Sequence, residues 1–393
     1  MTSFDAFWNK YRKSIIEFRR TLHRYPEPAL KEYRTSSIIR DALKNREEID
    51  IRPVEGTGLV AILQGNKPGP VVALRAEMDG LEITERTGLE YRSRNKGYMH
   101  ACGHDAHMAI LLGTLHYLAK TKNKWEGSVL FVFQPAEEKF GGARLIMDSG
   151  LLKLATSIAA LHLWPDLPEG IFGIREGMLT ATNDYFRITV RGRTAHAALP
   201  EDGIDALYTG SRIINELKSL VGREISPLKP ALIHIGTFRA GDNYNVIADR
   251  AVLKGTVRTT DPETNKFLEG RIPALARRIG ALYGARIKVE YIKQYPSVVN
   301  SPMVTEVIRR TAKRIFGPDQ IQPLERPAMI AEDFSFYTER IPGAMIFLGT
   351  RSPEKGFIHG LHNSRFNFDE ELILSRGIRL LGESARALLK EKH

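Results

Sequence analysis

The ten residues Met99-His100-Ala101-Cys102-Gly103-His104-Asp105-Ala106-His107-Met108 hold three histidines, an aspartate and the chain's single cysteine. Thiolate and imidazole are the ligands that borderline-soft divalent ions prefer. Cys102 and His104 stand two apart, so an extended or looped segment lets both face one ion, whereas a helix would splay them. The apolar run from Met108 to Leu118 predicts a helix starting just after the cluster, with Asp105 as its N-cap. A lone cysteine is ordinarily a small buried hydrophobe, and a single histidine a hydrogen-bonded polar residue. The ligand reading therefore turns on partners elsewhere in the chain.

Those partners stand at the ends of strand-like runs. Val129 to Phe133 leads into Gln134-Pro135-Ala136-Glu137-Glu138, and Ser157 to Leu161 delivers His162 just ahead of Trp164-Pro165. Neighbours in extended backbone point to opposite sides, so one of Glu137 and Glu138 can ligate an ion while the other handles a proton. A solvated glutamate pair is the plainer alternative. A buried strand and a proline directly ahead of the pair weigh against it.

The rest of the chain supplies the frame. Phe7, Tyr11, Ile15, Phe18 and Leu22 recur at helical spacing, which predicts an amphipathic helix over 5–25 that stops near Pro26 and Pro28. Arg19, Arg20 and Arg24 read as its solvated face. A second helix is expected from Thr35 to Leu43, strands from Leu59 to Gln64 and Val71 to Arg75, and helices from Ala106 to Ala119 and Gly142 to Ser149. Strands alternating with helices make an α/β domain with functional residues on loops at strand ends. From about Asp184 the order becomes β-α-β-β-α-β: Phe186 to Val190, Ile204 to Leu217, Ala231 to Thr237, Val246 to Val257, Phe267 to Leu282 and Ala285 to Tyr291. That is the order of a ferredoxin-like sandwich. Residues 180–292 are thus expected as an inserted domain within a catalytic domain formed by 1–179 and 293–393. The run Gly343 to Gly349 resumes the first pattern, followed by Gly360-Leu361-His362-Asn363 and a C-terminal helix from Asp369 to Lys390.

With 393 residues, 42% of them hydrophobic, the chain can fill two or three domain cores. One cysteine excludes an internal disulfide framework and fits a reducing, cytoplasmic setting. Met1 to Ser14 has no uninterrupted apolar run, and Met108 to Ala119 is too short and polar to span a bilayer, so neither secretion nor membrane insertion is expected. The net charge of +11 comes from basic residues scattered among acids rather than gathered into a stripe, without an aromatic-rich basic motif. Nucleic-acid binding is not expected, and the positive field would instead recruit small anions such as carboxylates.

Taken in order, Arg75-Ala76-Glu77-Met78-Asp79-Gly80-Leu81, the His-Ala-Cys-Gly-His-Asp-Ala-His run, Gln-Pro-Ala-Glu-Glu, Leu161-His162-Leu163-Trp164-Pro165, Gly192-Arg193-Thr194-Ala195-His196-Ala197-Ala198 and Leu361-His362-Asn363 resemble one family. It is that of the dinuclear metal amidohydrolases, which includes hippurate hydrolases, N-acyl-amino-acid deacylases, N-acetyl-diaminopimelate deacetylases, auxin-conjugate hydrolases and some archaeal carboxypeptidases. The resemblance runs from about Arg19 to the C-terminal helix. It implies an α/β/α catalytic domain with a mixed sheet and a ferredoxin-like lid and dimerisation domain. It also implies Cys102, His104, Glu138, His162 and His362 as metal ligands, Glu137 as general base, and His196, Asn245 and Arg258 as lid contacts to substrate. Glu77 stands where this branch usually has aspartate, and Ala248 where proline is common.

Five ligands suit two divalent ions, Zn, Mn or Co, sharing one water. The expected reaction is hydrolysis of an amide next to a free carboxylate, in an N-acyl amino acid or at the C-terminal bond of a short peptide, with His196 stabilising the oxyanion and Arg258 gripping the carboxylate. A homodimer, or an assembly of dimers, is expected. Two rivals remain open: a non-haem iron oxygenase, since two histidines and a carboxylate make a facial triad, and a non-catalytic metal-binding or redox-sensing protein on the same scaffold. The cysteine ligand and the spare Glu137 disfavour the first, and the intact Glu137 disfavours the second.

Overall fold

The structure is a computed structural model that describes residues 3–391. It divides into two compact units. The first takes the chain up to Leu179, then Val298–Arg326, and continues from Asp333; the second is Thr180–Ser297 with Pro327–Glu332.

The first unit opens with α1 (Ser3–Arg24), α2 (Tyr33–Leu43), β1 (Ile49–Pro53), β2 (Leu59–Gln64), β3 (Val71–Glu77) and α3 (His104–Ala119). Next come β4 (Ser128–Gln134), α4 (Ala143–Asp148), β5 (Ser157–Pro168), β6 (Phe172–Ile174) and β7 (Gly177–Met178). The second unit holds β8 (Asn183–Arg191), α5 (Ala206–Glu224), β9 (Ala231–Ala240), β10 (Arg250–Thr259), α6 (Pro262–Leu282) and β11 (Arg286–Tyr295). The chain returns through β12 (Val299–Asn300), α7 (Pro302–Phe316), β13 (Ile321–Pro323), α8 (Ser335–Thr338), β14 (Gly343–Arg351) and α9 (Glu370–Leu388).

The large sheet of the first unit has the order β1-β2-β4-β3-β5-β14-β6-β13 and is mixed. Its central pairs β4–β3, β3–β5 and β5–β14 are parallel, and β1–β2 and β2–β4 are antiparallel. Central strands buried on both faces should read as continuous apolar runs, and they do. Val72, Leu74, Phe131 and Ile346 join the core shared with α1, α3 and α9, while Ala73, Val132 and Met345, one step out of phase, are equally buried. β5 runs on to Pro168, so His162 lies within the strand, opposite Phe347 of β14, rather than just past its end.

Two sequence expectations about α1 and α3 are overturned together. Gly103 is the N-cap of α3; its φ of +88° turns the chain from the cysteine loop into the helix, and a Cβ there would lie 2.9 Å from Leu163. Asp105 is therefore inside the first turn and wholly buried. Its carboxylate is 2.7 Å from Arg19 Nε and 2.8 Å from His23 Nδ1. Arg19 is not on the solvated face of α1 but buried, also reaching Glu370 of α9; only Arg20 and Arg24 are partly open to solvent. α3 is buried on nearly every side, and this charge pair ties its first turn to α1.

The second unit is the ferredoxin-like βαββαβ: an antiparallel sheet in the order β11-β8-β10-β9, with α5 and α6 on one face. Asp205 and Asp261 cap these helices, accepting from Tyr208 N at 2.9 Å and Thr264 N at 2.8 Å. β10 begins at Arg250, not Val246, because Val246 bridges His196 in a loop. β11 continues to Tyr295, so the boundary expected at 292 falls inside a strand.

Candidate metal centre and active site

The site of the first unit is assembled around the loop after β3. Asp79, fully buried, accepts from Glu137 N on Oδ1 at 3.1 Å and from Glu138 N on Oδ2 at 3.0 Å. The two glutamates are thus in a turn that follows Ala136, whose φ is +56°, and not in extended backbone. They still diverge, for a different reason than strand alternation: Glu138 groups with Cys102 and His104, and Glu137 with Asp333.

The histidines are held by their outer nitrogens. His104 Nδ1 is 2.9 Å from the Asp79 carbonyl oxygen, and His162 Nδ1 is 2.8 Å from the Leu163 carbonyl oxygen. A carbonyl only accepts, so each Nδ1 carries the proton and each Nε2 presents a lone pair. The two Nε2 atoms point at the remaining candidates. His104 Nε2 is buried without a hydrogen bond, 4.0 Å from Glu138 Oε1. His162 Nε2 is 3.5 Å from Cys102 Sγ. His362, at φ +59° and tied by its N–H to Ala101 O, brings its Nε2 to 3.2 Å from Glu138 Oε1. All five ligands expected from the sequence therefore converge.

The electrostatics fit a cation. Burial alone would lower His104, but its bond to Asp79 and the carboxylates of Glu77, Asp79 and Glu138 push it up to about 10. A hollow that demands a positive charge this strongly accepts a divalent ion in place of the proton. Burial keeps His162 down, near 4, so it is the neutral imidazole a metal requires. Burial opposes ionisation of Glu138, but His362, His104 and Cys102 hold it below the usual carboxylate range. A thiolate, imidazoles and a carboxylate with an orphaned inward nitrogen are a metal-ligating set.

Sequence reasoning passed over the layer beneath. Arg75, wholly buried, donates to Glu77, to Gln134 Oε1 at 2.8 Å and to Asp333 Oδ1 at 2.7 Å. Glu77 Oε2 in turn receives His107 Nδ1 at 2.7 Å, and His107 Nε2 accepts from Leu163 N at 3.0 Å. The longer side chain at 77 spans Arg75 and His107 at once. His107 stands one turn after His104 on α3, and that i, i+3 spacing was the available signal. His107 also falls in a buried group with Glu77, His104 and His162. His100, the third histidine of the motif, is buried with neither ring nitrogen hydrogen-bonded, and burial lowers it to about 3.

In the second unit His196 and Asn245 are neighbours. Both are exposed; Ala197 N donates to Asn245 O at 3.0 Å, and His196 Nδ1 accepts from Ala198 N at 3.0 Å. Arg258 is at the far end of β10, donating to Met329 O at 3.0 Å. Eight residues of strand separate Arg258 from Arg250, about 27 Å at the usual rise. The three lid residues are thus two clusters, not one.

Residues 73–387 match the profile of Peptidase family M20/M25/M40. Thermostable carboxypeptidase 1 of Saccharolobus solfataricus is 36% identical, over 96% of this chain and 95% of its own length. N-acetyl-L-cysteine deacetylase of Bacillus subtilis is 37% identical, over 96% and 88%. In three dimensions the chain is similar to the Bacillus subtilis YXEP protein, described as a dinuclear metal-binding peptidase from the M20 family, with a TM-score of 0.85 and 33% identity covering 98% and 99% of the two chains.

Proposed function

Because the chain belongs to peptidase family M20/M25/M40 and is a metal-dependent hydrolase, we propose that it cleaves the amide bond next to a free carboxylate, in N-acyl amino acids or at the C-terminus of short peptides. The observation that carries this reading is the buried, unbonded Nε2 of His104 facing Glu138, with Cys102, His162 and His362 closing around them. Cys102, His104, Glu138, His162 and His362 would hold two divalent ions, Zn, Mn or Co. Such ions, when bound, polarise a scissile carbonyl and acidify water.

The chain's own groups do the rest. Glu137, fixed by its N–H on Asp79, takes the proton of the attacking water and returns it to the leaving amine. His196 donates to the oxyanion, Asn245 steadies the same end of the substrate, and Arg258 pairs with its carboxylate. His196 and Asn245 lie in loops beyond the Arg250 end of β10, and Arg258 stands near its other end, about 27 Å along the strand from Arg250. His196 and Asn245 are accordingly assigned to the site of a partner subunit in a homodimer. Exposed Leu199, Leu207, Tyr208, Phe238, Tyr244 and Val246, all on β9 or on the neighbouring loops and helix start, support an apolar contact there.

A hydrolysis screen tests the reading: N-acetyl and N-benzoyl amino acids and dipeptides, each with Zn, Mn or Co. Turnover that requires both metal and the free carboxylate is expected. Equal turnover of carboxyl-amidated substrates would sink the assignment of Arg258, and no turnover of any member would sink the substrate class.

A further inference from the structure

The basic residues that look scattered in sequence are gathered by strand register in the second unit. Phe186, Ile188 and Val190 of β8 and Ala251 and Leu253 of β10 face the helices and fill the core. Their neighbours in the strands therefore line the opposite, open face. At one end of that face Arg191 stands directly opposite Arg250 on one side and Arg286 on the other. All three are exposed, and none has a carboxylate at ion-pair distance among the described residues. Two rows further in, Arg187 faces Lys254, with Arg239 on β9 between the rows. The acid of these rows, Glu290, is paired with Lys288 at 2.7 Å.

Like charges directly opposed across strands destabilise a sheet. Three arginines in one row, about 4.8 Å from strand to strand, are a cost that a bound anion would turn into a gain. Two adjoining hollows offer the room. One, of about 650 Å³, is lined by Arg187, Arg239, Arg250 and Lys254, with Asp242 and Asp249 at its wall. The other, of about 480 Å³, is lined by Arg191, Arg193, Arg250 and Arg286, again with Asp249. Arg250 is common to both, and the buried Nε of Arg187 has no acceptor.

We propose that this open face binds a linear chain of phosphate groups, lying across Arg250 from one hollow to the other. Guanidinium forks match phosphate oxygens in pairs, and the excess of cations exceeds what a monoanion would use. A second copy of the chain is a poor occupant, since a two-fold contact would set the same positive rows against each other. Base-stacking nucleic acid is also disfavoured: on the open face the two central strands carry one aromatic residue, Tyr185. The phosphate chain can be free or the tail of a nucleotide. The first hollow is also lined by Thr194, Asn243 and Val246, next to His196 and Asn245, whereas the second is not.

The test is calorimetric titration of the full chain, freed of divalent ions, with tripolyphosphate and separately with ATP. Saturable binding is expected, at least about tenfold weaker in 500 mM than in 50 mM salt. The Arg191→Ala/Arg250→Ala variant should lose at least about tenfold at low salt, and Arg277→Ala/Arg278→Ala, on the exposed side of α6, less than about twofold. Tighter binding of ATP would identify a nucleotide tail, and tighter binding of tripolyphosphate a free chain. Absence of saturation, equal losses in both variants, or binding of a single-stranded oligonucleotide without binding of tripolyphosphate overturns the proposal. Thermal melting guards against misfolding. Removing opposed charges should leave the melting temperature unchanged or higher, and tripolyphosphate should raise it in the parent but not in Arg191→Ala/Arg250→Ala; a variant that melts well below the parent would make these arginines structural.

Discussion

One residue, Asp79, holds three parts of the candidate site together: its two carboxylate oxygens take the N–H groups of Glu137 and Glu138, and its backbone carbonyl orients His104. Asp79→Asn preserves size but turns one acceptor into a donor that faces a backbone N–H. Metal affinity, measured by competition with a chelating dye, should fall about 10–100-fold, as for other outer-layer partners of metal ligands. Within the adjacent pair, Glu137→Gln should keep its metal and lose about a hundredfold to ten-thousandfold in kcat, because an amide cannot accept the proton. Glu138→Gln should instead lose metal, and exchanged phenotypes would reverse the two roles. Cys102, buried beside His162, should be inactivated by peroxide faster in chelator-treated enzyme than in metal-loaded enzyme, since an ion shields the thiolate; equal rates would remove it from the ligand set. The candidate ligand types stood out in the sequence because a thiolate and imidazoles crowd one short motif, with a glutamate pair and two further histidines elsewhere in the chain. The role of Asp79 did not, because a side chain that caps a turn 58 positions away leaves no local spacing to read.

Between elements, a buried charge cluster in the first unit links α1 to α3 and α9 through Arg19, Asp105, His23 and Glu370. Removing one member of a buried ion pair leaves the other desolvated and unpaired, typically about 3–5 kcal/mol. Arg19→Met should therefore lower stability by that amount in chemical denaturation, whereas Arg24→Met, whose partner Glu17 is exposed, should change it by less than about 1 kcal/mol. Similar losses for both would mean that the buried pair contributes no more than a surface one. Helix periodicity did carry the signal: Arg19 falls four after Ile15 and three before Leu22, on the apolar stripe rather than across from it. Reading Arg19 by residue type alone hid this, and hid the need for a buried acid on α3. Short strands such as β6 and β13 escaped sequence reading because three residues carry no period.

At the scale of the whole molecule, alternation and element order were sufficient to expect an α/β domain and a βαββαβ insertion, because both rest on local periodicity; the mixed sheet was expected from the family resemblance alone. Register was not legible, and register is what gathers Arg187, Arg191, Arg239, Arg250, Lys254 and Arg286 onto one face of the second unit, while His196 sits in a loop beyond the Arg250 end of β10 and Arg258 stands near its other end. That separation bears on assembly. β9 is an edge strand with unpaired backbone groups, and the exposed Phe238 on it lies among other exposed apolar residues. Pairing two such edges across a two-fold axis satisfies the backbone and covers those side chains. If His196 then serves the partner's site, two inactive chains can repair each other. Glu137→Gln and His196→Ala are each expected to be inactive alone. Mixed under conditions of proven subunit exchange, a heterodimer holds one site with an intact Glu137 and the partner's intact His196, so activity should return toward about a quarter of the parent, half the dimers being mixed and half of their sites complete. Continued inactivity of the exchanged mixture would return His196 to its own chain's site, or remove it from catalysis.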